Sequence, residues 1–185
     1  MNLDGGLGDV VYFDSVLYHG RTTLSNLEAV YQTQSKDWWI IQPIENDSLF
    51  LIYSITDNGI HRLQDQNAGV RFEHNRSGGG TMRISPDGTK LAYYEYFLNL
   101  HVYDFDRTTG QISNHRKVII FEDAETKAND QYRFGSVEWS PDSRMMYVAI
   151  QDSLFQIDSY EQDMNEGIKL IDVYNGTLDP FPTNF

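Results

Sequence analysis

At 185 residues, with 40% hydrophobic and 14% aromatic residues, the chain has the length of one ordinary domain and ample material for a packed core, which excludes the disordered class. A formal net charge of -13, from 14 Lys+Arg against 27 Asp+Glu, disfavours nucleic acid as a partner, because a grip on phosphates needs clustered cations. Cysteine is absent, which excludes disulfides, thiol nucleophiles and Cys-based zinc sites together, and no apolar run approaches the roughly 18 residues of a membrane span.

In chain order, the first candidate element is a leading strand at 8–13, Gly8-Asp9-Val10-Val11-Tyr12-Phe13. A first four-stranded unit follows over approximately 24–75. Residues 37–41, with adjacent Trp38 and Trp39, stand as its second strand and 50–55 as its third, while Val70-Arg71-Phe72, after the turn Asp57-Asn58-Gly59, is expected as its fourth. The second unit, 78–122, runs through Thr81-Met82-Arg83-Ile84, the turn Ser85-Pro86-Asp87-Gly88, strands beginning at Leu91 and Leu100, the turn Thr108-Thr109-Gly110, and a fourth strand at 117–121. The third unit, 133–175, repeats the order with Ser136-Val137-Glu138-Trp139, the turn Ser140-Pro141-Asp142, a strand at 155–158 and a last one at 169–174.

The Ser85-Pro86-Asp87 turn recurs at Ser140-Pro141-Asp142, an offset of 55 residues. Proline presets φ at the second turn position, aspartate folds its side chain onto the backbone, and Gly88 takes a positive φ without steric cost, so each motif joins two antiparallel strands. No segment sustains a helical period. The expected fold is all-β: a β-propeller of about three four-stranded antiparallel blades of ~50 residues plus the leading strand. Because such rings typically close with 4–8 blades, a fragment of a larger ring is expected.

The Ser-Pro-Asp-Gly turns resemble the repeat of WD-repeat-like propellers, the kind found in the TolB translocation protein and in propeller-gated peptidases. A closer resemblance lies in the order Gly5-Gly6-Leu7-Gly8-Asp9-Val10, Leu27-Glu28-Ala29-Val30, residues 36–41 and residues 78–88. It is similar to the propeller region of large Bacteroidota surface proteins that carry PKD-like domains and a type IX secretion sorting domain. That resemblance implies export to the cell surface, with the periplasm as the alternative, and it supplies no catalytic residues to carry over.

Gly78-Gly79-Gly80 lacks the Lys-Ser/Thr of a phosphate loop and is expected to lead flexibly into a strand. The histidines at 19, 61, 74, 101 and 115 have no metal-binding spacing; His101 is expected to make a surface or inter-blade hydrogen bond. Asp104 and Asp106 share a strand face and read as a solvated strand end before a cation site, and the acidic loop 122–125 reads as solvated too. Trp38 and Trp39 are expected to pack on opposite faces, one within its own blade's interface and one against the next blade, with a sugar platform as the alternative. No Gly-x-Ser-x-Gly elbow occurs.

Arg83 and Glu138, on the innermost strands, are the weak ring-face candidates, and no catalytic, cofactor or metal residue is nominated. The functional expectation is a non-catalytic binding or scaffold module for a protein or glycan partner, without nucleic acid, membrane insertion or cofactor. If the chain is complete, the expectation is that the three blades stand open or complete a ring by self-association. The rivals are an accessory or catalytic propeller of a hydrolase or peptidase, and a TolB-like periplasmic interaction protein.

Overall fold

The computed structural model describes residues 16–23, 26–71, 80–95, 99–120, 134–150, 153–172 and 177–180. The expected leading strand at 8–13, His74, the acidic loop 122–125 and the end of the last expected strand at 173–174 lie outside these residues. Three antiparallel sheets follow one another along the chain, each built as a meander of neighbouring strands. Blade 1 contains β1 (Glu28–Tyr31), β2 (Trp38–Pro43), β3 (Leu49–Thr56) and β4 (Gly59–Arg62), with the short β5 (Gln66–Asn67) also paired to β3. Blade 2 contains β6 (Thr81–Ile84), β7 (Lys90–Glu95), β8 (Asn99–Asp106) and β9 (Gln111–Val118). Blade 3 contains β10 (Gly135–Trp139), β11 (Met145–Ile150), β12 (Ser153–Asp158) and β13 (Lys169–Asp172), extended by β14 (Thr177–Pro180). The fold is all-β, with three meanders of propeller-blade size.

Two strand expectations need correction. The fourth strand of blade 1 is β4 at 59–62, and Val70 and Arg71 belong to no strand. Val70 instead packs its side chain against the layer between blades 1 and 2, where apolar contact substitutes for strand pairing. In blade 2 the fourth strand starts at Gln111, directly after the turn, so residues 117–118 are its end.

Alternation along each strand gives each blade two faces; two core layers lie between blades, and a smaller cluster of Ile44, Leu51 and Tyr53, with Tyr18 packed against it, lies on the side of blade 1 away from blade 2. Trp39, Ile41, Phe50 and Ile52 of blade 1 meet Met82, Leu91, Tyr93, Tyr103 and Phe105 of blade 2. The other face of blade 2, with Ala92, Tyr94, Leu100 and Val102, meets Val137, Trp139, Met146, Val148 and Ile157 of blade 3. Period-two alternation across a blade therefore feeds both neighbours at once.

The Ser-Pro-Asp turns behave as their chemistry dictates. Gly88 N–H donates to Ser85 O at 2.7 Å and Ser143 N–H to Ser140 O at 2.9 Å, and the fourth residue has positive φ in both, +71° at Gly88 and +64° at Ser143. Serine at this strained position is explained by its hydroxyl, which accepts the Asp87 N–H at 2.9 Å and joins the turns of blades 2 and 3. Asp87 accepts from Ser85 Oγ at 2.6 Å, Thr89 N at 3.0 Å and Thr89 Oγ1 at 2.9 Å. Burial raises its pKa, but these bonds and the nearby Lys90 charge outweigh it and hold the carboxyl below its usual range.

Asp87→Ala is expected to destabilise the chain by about 1–2 kcal/mol at neutral pH in urea titration. A depressed carboxylate contributes stability above its unfolded-state value and loses it in acid. The difference between wild type and variant should therefore shrink as pH falls below the ordinary carboxylate range.

Candidate functional site: a charged row across the inner strands

The first strands of the three blades, β1, β6 and β10, lie beside one another, and each places one charged residue at the same repeat position. Arg83 on β6 stands between Glu28 on β1 and Glu138 on β10, each 55 residues away in sequence. Its Nη1 donates to Glu28 Oε1 at 2.9 Å and to Met82 O at 2.9 Å, and its Nε donates to Glu138 Oε2 at 3.2 Å. The structure thus brings together the two ring-face candidates, Arg83 and Glu138, and adds Glu28, which sequence reasoning did not nominate. Counting the 55-residue repeat backwards from Arg83 arrives at it.

The two carboxylates differ in environment. The Glu28 side chain is 17% exposed, and its Oε2 also accepts the Ile84 N–H at 3.4 Å. Burial pushes its pKa up, only partly offset by the Ile84 hydrogen bond and Arg83, while Glu138 adds repulsion. Glu138 is 66% exposed, with Oε1 accepting its neighbour Trp139 N–H at 3.1 Å. Arg83 is therefore a bridge with a sheltered end at Glu28 and an open end at Glu138. Around the row, Thr81 Oγ1 accepts the Val137 N–H at 2.9 Å and Trp139 Nε1 donates to Arg83 O at 3.1 Å, which fixes the inner strands of blades 2 and 3 in register.

Double-mutant cycles should separate the two ends. The Glu28–Arg83 coupling is expected to exceed the roughly 0–1 kcal/mol of an exposed pair, whereas the Arg83–Glu138 coupling is expected to stay within it. Equal couplings in chemical denaturation would contradict this division.

A second polar cluster lies between blades 1 and 2. His101, buried on β8, faces His115 on β9 with Nδ1 and Nε2 2.8 Å apart, ring centres 5.0 Å apart and planes 19° from parallel. The rings lie nearly end to end, so the geometry is that of one N–H shared between them. A zinc ion would hold each nitrogen at about 2.0–2.1 Å and drive the rings apart. Tyr103 stacks on His115 at 4.9 Å and donates its hydroxyl to Ala68 O at 2.8 Å in blade 1. Gly69, at φ +71°, passes so close that an added Cβ would sit 2.9 Å from His115 Nδ1. His101 is buried, so it does not stand at the surface; its Nδ1 pairs with His115 in its own blade, and His115 and Tyr103 touch Gly69 and Ala68 of blade 1.

Desolvation, with a smaller effect from Lys117, lowers the His115 pKa below its usual value. Arg116 on the same strand is tied to Asp104. A histidine depressed in the folded state takes its proton first in the unfolded chain, so stability is present above the ordinary histidine pKa and is lost as pH falls through it. Thermal melts from pH 7.5 to 5 should show a falling midpoint, and His115→Gln should flatten that slope. An unchanged slope would remove the pair from the acid response.

The remaining candidates resolve individually. Asp104 accepts from Asn114 Nδ2 at 2.8 Å and pairs with Arg116, and Asp106 caps Thr108 N at 2.8 Å and Thr109 Oγ1 at 2.8 Å. Asp104 is thus engaged by the neighbouring strand β9 and Asp106 by its own turn. Among the described residues no group of three or more His, Asp or Glu is placed to hold a metal ion. Gly80 enters β6 in a confined setting, where an added Cβ would stand 1.9 Å from Tyr94 O. Trp39 packs toward blade 2 and donates Nε1 to Arg107 O at 2.8 Å. Trp38 departs from expectation: it stays 44% exposed, edge to face with Tyr31 at 5.2 Å, because it lies on the blade 1 face that no other described sheet covers.

The architecture defines an all-β array of antiparallel propeller-size blades. No family model matches the chain, and no curated protein matches it. Similar solved structures include a putative 6-phosphogluconolactonase from Bacteroides fragilis, at 15% identity over 84% of this chain and 37% of that one, TM-score 0.48. Another from Bacteroides uniformis matches at 12% identity over 84% and 39%, TM-score 0.49. The PQQ domain of pyranose dehydrogenase from Coprinopsis cinerea matches at 11% identity over 82% and 38%, TM-score 0.52. At these identities the likeness is one of fold alone. The chain spans less than two fifths of each of these structures.

Proposed function

We propose that the chain is a non-catalytic binding or scaffold module of an exported bacterial cell-surface protein, and that its partner, a protein or a glycan, docks over the inner strands. The observation that carries this reading is the Glu28–Arg83–Glu138 row: its charges are spent bracing three blades against one another, and its open end presents Glu138 to solvent on a rigid strand. Preorganised charge of this kind selects and orients a partner. Net charge of -13 favours partners with basic groups at the contact and speeds their encounter. The cell-surface assignment rests on the resemblance of the blade sequences to Bacteroidota surface propellers.

The test is a glycan array and a displayed random-peptide library, each probed with the purified chain. Saturable binding is expected, weakened about tenfold or more by Glu138→Lys with the far-UV circular dichroism unchanged. Ligand should be recovered chemically intact. Recovery of a hydrolysed or oxidised ligand would replace the binding module with an enzyme, and binding indifferent to Glu138→Lys would move the site off the inner strands.

A further inference from the structure

We propose that Asn58 is a modification site, at which the chain converts its own asparagine through a cyclic imide into aspartate and isoaspartate. The pair Asn58-Gly59 stands at the tip of the hairpin between β3 and β4, with Asp57 and Asn58 as turn residues and Thr56 opposite Gly59 as the closing pair. In the reaction the backbone nitrogen of Gly59 gives up its proton and attacks Cγ of Asn58. The new N–Cγ bond closes a five-membered ring, the Cγ–Nδ2 bond breaks, and the proton leaves with that nitrogen as ammonia. Water then opens the ring at either carbonyl. One water is consumed and one ammonia released, with no change of oxidation state.

The tip leaves the attack unhindered. Residues 57–60 are all exposed, and an added Cβ at Gly59, at φ +118°, would meet nothing within 4 Å. Glycine itself puts no side chain beside the attacking nitrogen. The Asn58 carboxamide makes no hydrogen bond to a described residue, so nothing holds it away from the backbone. The bonds of the turn run through Thr56 instead: Asn58 N–H donates to Thr56 Oγ1 at 3.1 Å, and Thr56 Oγ1 donates to Gly59 O at 3.3 Å. Ring closure needs Gly59 N to swing toward Cγ, which a closed turn opposes. Here that motion is cheap, because β4 is a short strand at the end of its sheet with all four residues exposed, and such elements open locally at little cost.

The other described asparagines lack this combination. Asn26 and Asn99 are buried, and Asn46, Asn67, Asn114 and Asn165 are each followed by a residue whose Cβ crowds the attacking nitrogen. Asn67 and Asn165 also commit Oδ1, to the Gly69 N–H at 2.7 Å and the Ile119 N–H at 2.7 Å. The product at position 58 gains a negative charge, and its isoaspartate form adds a methylene to the backbone at the point that sets the register of β4. The pairs His61 with Ser54 and Arg62 with Tyr53 are the ones displaced.

Peptide mapping of the full folded chain, aged over days to weeks at about pH 6 and about pH 8, tests this, because the attacking nitrogen must lose its proton. The tryptic peptide 37–62 contains both Asn46 and Asn58. It should gain a form with NH exchanged for O, placed by fragmentation at Asn58, and an isoaspartate-specific methyltransferase should label the same peptide. Conversion should be about tenfold or more faster at the higher pH. Asn58→Gln should abolish it without altering the circular dichroism, since the corresponding ring has six members and closes far more slowly. The chain unfolded in guanidinium chloride supplies the reference rate, and the folded rate should lie within about thirtyfold of it. Greater protection in the folded chain overturns the proposal. So does conversion at Asn46 as fast as at Asn58, or a rate indifferent to pH.

Discussion

Blade 2 is apolar on both sides and its neighbours are apolar on the sides that meet it, and a four-stranded meander has no means of covering either side by itself. Burial against a neighbouring sheet is therefore the interaction on which everything else depends. Hydrogen-bonded ladders run within the blades, and the described backbone pairing keeps the three sheets separate. What holds one blade to the next is the apolar layer between them, centred on Phe50, Tyr93 and Tyr103 on one side of blade 2 and on Tyr94, Val102 and Met146 on the other. Blade 2 is the only one of the three with both sides covered by described sheets.

Polar contacts then set the register that apolar layers leave loose. Trp39 reaches Arg107 O, and Gln66 joins Gly110 O at 2.8 Å and the Ile112 N–H at 2.7 Å, tying blade 1 to the outer hairpin of blade 2. Trp139, Thr81 and Ser143 do the same between blades 2 and 3, and Lys90 lies 4.8 Å from the Tyr160 ring centre. Dispersion and hydrophobic burial are non-directional, so hydrogen bonds to fixed backbone groups decide where one sheet stops sliding on another. The Glu28–Arg83–Glu138 row belongs to this set: it crosses both interfaces at their inner edge.

The two end faces of the array are unequal, and that asymmetry follows from the same alternation. The side of blade 1 away from blade 2 corresponds to the sides of blades 2 and 3 that look back along the chain; it keeps their apolar residues, and residues 17–18 pack over part of it against Leu51 and Tyr53. The uncovered side of blade 3 corresponds to the forward-looking sides and carries Glu138, Gln156, Asp158 and Lys169 among its apolar positions.

Much of this was legible in the sequence, and the parts that were not have identifiable causes. The Ser-Pro-Asp turns at 85–87 and 140–142 announce their hairpins because proline and aspartate act locally, and the strands beside them alternate strongly. The fourth strand of blade 1 was hidden because Gly59-Ile60-His61-Arg62 is short and exposed, while Val70 looks like a strand residue and packs as a loop. Glu28 was obscured by the longer first hairpin of blade 1, in which Glu28 pairs with Ile41 where Arg83 pairs with Ala92, so its later strands follow an offset nearer 50 than 55. The His101–His115 pair depends on a bulge between Val102 and Asp104, with Asn114 at φ +49°, that no alternation rule places. The sequence alone determined the strands beside the Ser-Pro-Asp turns, the turn chemistry and the repeat, because these rest on contacts between residues near in the chain. Only the tertiary structure decided which charges meet, which histidine faces which, and which apolar face is left open, because those depend on how separate sheets stack.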